Sequence, residues 1–140
     1  GGVGVYNYYS ITSSEVDYSD YVVCHEFGHA FGDLADEYWT SDVAVTDYFN
    51  LNVEPVQPNI TTLVDFASKW KNLVDKGVPI PTPNEKKYYD KVGAFEGGGY
   101  VEKGIYRPKF DCTMKSRSRD IFCPVCKNAL NEMILFYCDK

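Results

Sequence analysis

Both histidines of the chain fall in one short stretch, His25-Glu26-Phe27-Gly28-His29. On a helix, residues four apart share a face with Cβ atoms about 6 Å apart, so two imidazoles at this spacing can point at one metal ion. Glu26 lies about 100° further round the helix. From there its carboxylate can reach a water beside the metal rather than the metal itself. Two histidine ligands, a glutamate base and a polarised water are the parts of a zinc hydrolase. Manganese, cobalt or nickel would also accept such donors. The competing reading is a chance match to a five-residue pattern. Against it, apolar Val22, Val23, Phe27 and Phe31 predict a buried helix, and burying two imidazoles and a carboxylate is costly unless something satisfies them.

Catalytic zinc sites have three protein ligands and an open position. With no further histidine in the chain, the third must be Asp, Glu, Cys or Tyr. The sequence after His29 reads AFGDLADEY. In the metzincin pattern HExxHxxGxxH, Gly32 would turn the chain and position 35 would ligate, but Ala35 cannot. Asp36 is the first choice and Glu37 the alternative. The acid not used is expected to bind a histidine N–H. Asp33, directly after the glycine, is expected to face away.

The elements that must position these groups follow from periodicity and punctuation. Residues 3–11 (VGVYNYYSI) alternate and predict a strand. From Asp20, Tyr21, Cys24, Phe27, Gly28 and Phe31 recur at helical steps, and Gly32 marks the stop. Residues 40–60 read as an irregular segment. Within it, Asn59-Ile60-Thr61 matches a glycosylation sequon, which carries no meaning in a bacterial chain. A helix capped by Thr61 or Thr62 is predicted to run to about Asp75, with Leu63, Phe66, Trp70 and Val74 on one face. Gly97-Gly98-Gly99 predicts a turn between two short strands within 92–107. Pro124 opens a last helix that reaches about Tyr137.

The 140 residues suit one domain, taken as 1–140, and a composition 44% hydrophobic and 24% charged is that of a folded chain. The net charge of −6 excludes a nucleic-acid binder. The one basic run, Lys115 to Arg119, reads as a solvated loop. No apolar run is long enough to span a bilayer. The twelve tyrosines suit a β-rich core as well as a recognition surface. The five cysteines, Cys24, Cys112, Cys123, Cys126 and Cys138, leave an odd thiol.

HEFGHAFGDLADEY, followed by EGGGYVEKGIYRPKFDCTMKS and FCPVC, resembles the IgA peptidase family of bacterial zinc metallopeptidases. The likeness runs from GGVGVYNYY to the final helix. It implies an α+β fold, the C-terminal part of a metzincin-like zincin catalytic domain, with active-site helix, edge strand, Met-turn and C-terminal helix. One strand before the active-site helix is fewer than such a domain carries, so the chain is expected to lack its N-terminal part. A sheet edge exposed in this way would favour pairing with a second copy. The resemblance also implies one catalytic zinc on His25, His29 and Asp36 (alternative Glu37) and Glu26 as general base. The enzyme is then secreted or attached to the bacterial surface. Its substrates are proteins or glycoproteins, immunoglobulin A among them. Met114 resembles the Met-turn methionine beneath the metal. Where astacin-like relatives carry a tyrosine two residues on, this chain has Ser116, so an oxyanion would need a donor from elsewhere, Tyr100 or Tyr106, although packing is the first expectation for both. Secretion favours a disulfide from Cys112 to Cys123 or Cys126 over a structural zinc. Cys24 is expected to be a small core residue. The rival to the enzyme is a catalytically silent metal-binding module that recognises glycoproteins or peptides, and intact Glu26 argues against it.

Overall fold

The computed structural model describes residues 1–14, 17–39, 49–117 and 122–138. These contain two helices and two small antiparallel sheets, an α+β arrangement. Strands β1 (Gly2–Val5) and β2 (Tyr9–Thr12) form a hairpin in which Gly2 faces Thr12 and Val5 faces Tyr9. The single strand expected over 3–11 is therefore folded back on itself. The break is at Asn7, whose φ of 52° lies in the left-handed region, which asparagine tolerates better than most residues. Its backbone N–H donates to the Ala30 carbonyl at 2.8 Å, pinning the hairpin tip to the following helix.

That helix, α1 (Ser19–Gly32), carries the HEFGH motif. The hairpin lies directly on it: a Cβ on Gly4 would stand 2.4 Å from the Glu26 backbone oxygen. The helix is less buried than its apolar neighbours suggest. Val22, His25, Glu26, Gly28 and Gly32 are buried, but Val23 is 51% and Phe27 45% exposed. Cys24 is exposed too, so it is no core residue. The helix stops at Gly32, but the left-handed position belongs to Asp33, with φ 50°. Gly32 is needed for packing, because a Cβ there would meet Leu130 at 2.8 Å.

The helix expected over 61–75 is absent. Two 3₁₀ turns, Phe66–Ser68 and Lys71–Leu73, stand in its place. Tertiary partners outbid local propensity here. Thr61 and Tyr106 exchange both backbone hydrogen bonds, at 3.0 and 2.8 Å. Leu63 takes a φ of 65°, and the Trp70 indole N–H donates to the Gly93 carbonyl at 2.7 Å.

β3 (Phe95–Gly98) and β4 (Val101–Arg107) form the second hairpin; its turn falls at Gly99 and Tyr100, later than expected, because Gly97 and Gly98 belong to β3. The last helix, α2 (Pro124–Cys138), also forms where expected. Its Val125, Cys126 and Ala129 join Leu34, Trp70 and Met114 in the core. No helix among the described residues is long and apolar enough to cross a membrane. In the basic run, Lys115 is half-buried over the rings of Trp39 and Phe110 rather than solvated. Ser118 and Arg119 lie outside the described residues.

Candidate active site

His25 and His29 project from the buried face of α1, and the chain beyond Gly32 returns to meet them. From Leu34 it runs extended between two supports. The Glu37 N–H donates to the Met114 carbonyl at 2.8 Å. On the other side Gly99 and Tyr100 donate to the carbonyls of Asp36 and Tyr38, at 2.7 and 3.0 Å. Side chains of an extended segment alternate sides. Asp36 and Tyr38 therefore face the cleft, while Glu37 and Trp39 face the other way.

The cleft holds about 400 Å³ and is lined by Glu26, His25, His29, Asp36, Tyr38 and Tyr100, with Gly2 to Gly4 of β1 along one wall. Both histidines are oriented by backbone. The Nδ1 of His25 lies 3.0 Å from the Thr113 carbonyl, and that of His29 2.5 Å from the Leu34 carbonyl. A carbonyl only accepts, so these contacts assign the proton to Nδ1 and leave the Nε2 lone pairs facing inward. The two Nε2 atoms are 3.1 Å apart, and Asp36 Oδ1 stands 2.9 and 3.3 Å from them. A tetrahedral zinc with bonds of about 2.0 Å spaces its nitrogen and oxygen ligands by roughly 3.3 Å. Three inward acceptors at that spacing repel one another unless a cation or protons sit between them. Asp36 Oδ1 has no hydrogen-bond donor of its own. The residues fit a metal ion.

The electrostatics agree. Burial alone would raise the Asp36 carboxyl, but without a metal, when protons sit between the imidazoles and the carboxylate, His25 and His29 outweigh burial and hold the group well below its ordinary range. Burial would lower His29, and Asp36 reverses that and raises it. Tyr100 donates its hydroxyl to Asp36 Oδ2 and lies 3.2 Å from the Tyr38 hydroxyl. Burial and the Asp36 charge keep the Tyr100 hydroxyl firmly protonated, and burial pushes Tyr38 up to about 12.

Met114 is fully buried beneath the helix, and a Cβ on Gly28 would lie 2.7 Å from its sulfur. Only glycine at that position lets the thioether approach. Asp33, expected to face away, instead borders the cleft half-buried, outside the ligand triangle. Ser116 donates to Asp111 at 2.7 Å. Of the tyrosines considered as oxyanion partners, Tyr100 is in the cleft, whereas Tyr106 packs against the core.

The sequence pattern of one family, described as IgA Peptidase M64, matches residues 1–92 and 84–134. The chain belongs to the IgA peptidase M64 family. As a member of this metallopeptidase family it is a peptidase, and among the described residues His25, His29 and Asp36 are one group that could hold a metal ion. A comparison with curated proteins gave no match.

Glu37 does not bind a histidine N–H, as the acid left unused was expected to do. It turns into the core, fully buried, and meets the cysteines instead. No disulfide joins Cys112 to Cys123 or Cys126; all three are free thiols. Asn59, in the apparent sequon, is fully buried and donates to Glu37 Oε1 at 3.0 Å, so it cannot carry a glycan. Motif reading missed Tyr38, and it named Glu37 only as a cleft ligand or a partner of a histidine N–H, not as a neighbour of the cysteines. The alternation of Asp36-Glu37-Tyr38-Trp39 was the signal that could have found them.

Proposed function

We propose that this chain is a zinc-dependent endopeptidase with a metzincin-like core, in which His25, His29 and Asp36 hold one catalytic zinc. The observation that carries the reading is the triangle of two imidazole lone pairs and one carboxylate oxygen, open to a cleft that also contains Glu26. When bound, the zinc lowers the pKa of water and polarises a carbonyl. Glu26 accepts the proton of the attacking water and passes it to the leaving amine. Tyr100 fixes Asp36, and the Thr113 and Leu34 carbonyls fix the imidazoles. Met114 supports the helix from below in the manner of a Met-turn. Tyr38, protonated in the cleft, is a hydroxyl that can turn to a developing oxyanion, whereas Tyr100 is committed to Asp36.

Among the described residues β1 pairs only with β2, so its other edge, along the cleft, can accept an extended peptide as an added strand. That fits a protein or glycoprotein substrate, and family membership points to immunoglobulin-A-like chains outside a bacterial cell. The same edge could instead pair with a second copy of the chain. Glu26→Ala tests the mechanism. It should retain zinc while cleavage of a peptide library falls by roughly 10² to 10⁴. Undiminished cleavage, or wild-type protein purified without chelator and free of metal, would refute the proposal.

A further inference from the structure

A second set of ligand-capable atoms lies on the far side of the segment that carries Asp36. Glu37, Cys112, Cys123 and Cys126 are all buried, and one donor atom of each lies within 4.8 Å of every other. Cys112 comes from the turn that contains Met114, and Cys123 and Cys126 flank Pro124 at the start of α2. Cys126 Sγ is 3.8 Å from Cys112 Sγ, 3.5 Å from Cys123 Sγ and 3.4 Å from Glu37 Oε1. A tetrahedral zinc with Zn–S bonds of about 2.3 Å sets its sulfurs roughly 3.8 Å apart. The three distances from Cys126 are close to that spacing, and the other pairs lie within 4.8 Å.

Four further features favour a cation over a thiol cluster. Glu37 Oε2 is buried with no hydrogen-bond partner, an orphan that normally costs stability. The backbone N–H groups of Cys123 and Cys126 donate to the sulfurs of Cys112 and Cys123, at 3.3 and 3.5 Å. The first turn of α2 adds its positive end at the same place, and both effects stabilise thiolates. The guanidinium of Arg107 is 2% exposed and acts on Glu37 as the neighbouring positive charge, offsetting the surplus negative charge of three thiolates and a carboxylate around a divalent ion.

We infer that Glu37, Cys112, Cys123 and Cys126 form a second, structural zinc site, closed and separate from the cleft. Four protein ligands leave no open position, so the site holds structure and does no chemistry. Binding releases the thiol protons to solvent, with no change of oxidation state. The ion would clamp the segment bearing Asp36, the turn bearing Met114 and the start of α2 to one point.

The test uses the purified protein, prepared without chelator under reducing conditions. Total zinc should be two per chain. After replacement by Co(II), a thiolate-to-cobalt charge-transfer band should appear. Denaturation in chelator should release all five thiols. Cys126→Ser should remove one zinc and the charge-transfer band. His29→Ala should remove the other zinc and leave that band intact, so loss of the catalytic site reads out separately. Should Cys126→Ser fail to fold, the wild-type stoichiometry, band and thiol count still decide. One zinc with no charge-transfer band, or two thiols missing as a disulfide, would overturn the inference.

Discussion

Tyr100 shows how much of the metal cleft depends on a residue that donates no ligand atom. Its hydroxyl hydrogen goes to Asp36 Oδ2, leaving Oδ1 to the histidines. Tyr100→Phe should therefore weaken zinc binding about 10- to 100-fold in a chelator competition, with little change in fold. Proton competition gives a second expectation. In the metal-free protein His29 is raised above its ordinary 6.5, so its pairing with Asp36 contributes most below that value and fades as the pH rises through the folded pKa. Asp36 is depressed below 3.8, so its share is present above 3.8 and disappears as the pH falls through the folded value. Zinc needs the unprotonated imidazole. The gain in Tm on adding zinc should thus grow between about pH 5 and about pH 8. A gain that is flat or shrinks with pH would count against these ligands. The ligand pair four apart was legible in the sequence because helical spacing alone brings the imidazoles together. The choice between Asp36 and Glu37 was not, since it depends on which side of an extended segment meets the helix.

At the scale of elements, the β1–β2 hairpin and α1 share a backbone-to-backbone contact. A Cβ on Gly4 would strike a helix carbonyl that cannot move aside. Gly4→Ala should cost about 1–3 kcal/mol in denaturant unfolding and disturb the cleft wall, while Cys24→Ser on the exposed face should stay within about 0.5 kcal/mol. The HEFGH helix, the second hairpin and α2 were all readable from periodicity and punctuation. The stretch from Thr61 to Asp75 was not. Its apolar residues recur at helical steps, but Thr61 is taken up by Tyr106 and Trp70 by Gly93. The burial of α1 was overestimated for a related reason. Val23 and Phe27 are as apolar as core residues, yet both stay exposed, Phe27 stacked on the Phe31 ring of its own helix.

For the molecule as a whole, the two candidate metal centres differ in access, and this predicts the order in which they empty. The cleft opens to solvent, whereas the cysteine site is buried. A chelator should first abolish peptidase activity with secondary structure intact. Only later, as the second zinc leaves, should circular dichroism report loosening of α2 and of the turn at Met114. A single phase in which activity and structure vanish together would contradict this order. The peptide joining Asp36 to Glu37 has a wider consequence. It works as a ruler one residue long, with a cleft ligand at one mark and a core ligand at the next. An insertion or deletion of one residue in this segment would rotate a carboxylate out of both centres at once. Loops elsewhere can lengthen freely, but here the reading frame of side chains itself is the constraint. Chains of this kind should keep the two acids contiguous even where nearly everything around them drifts.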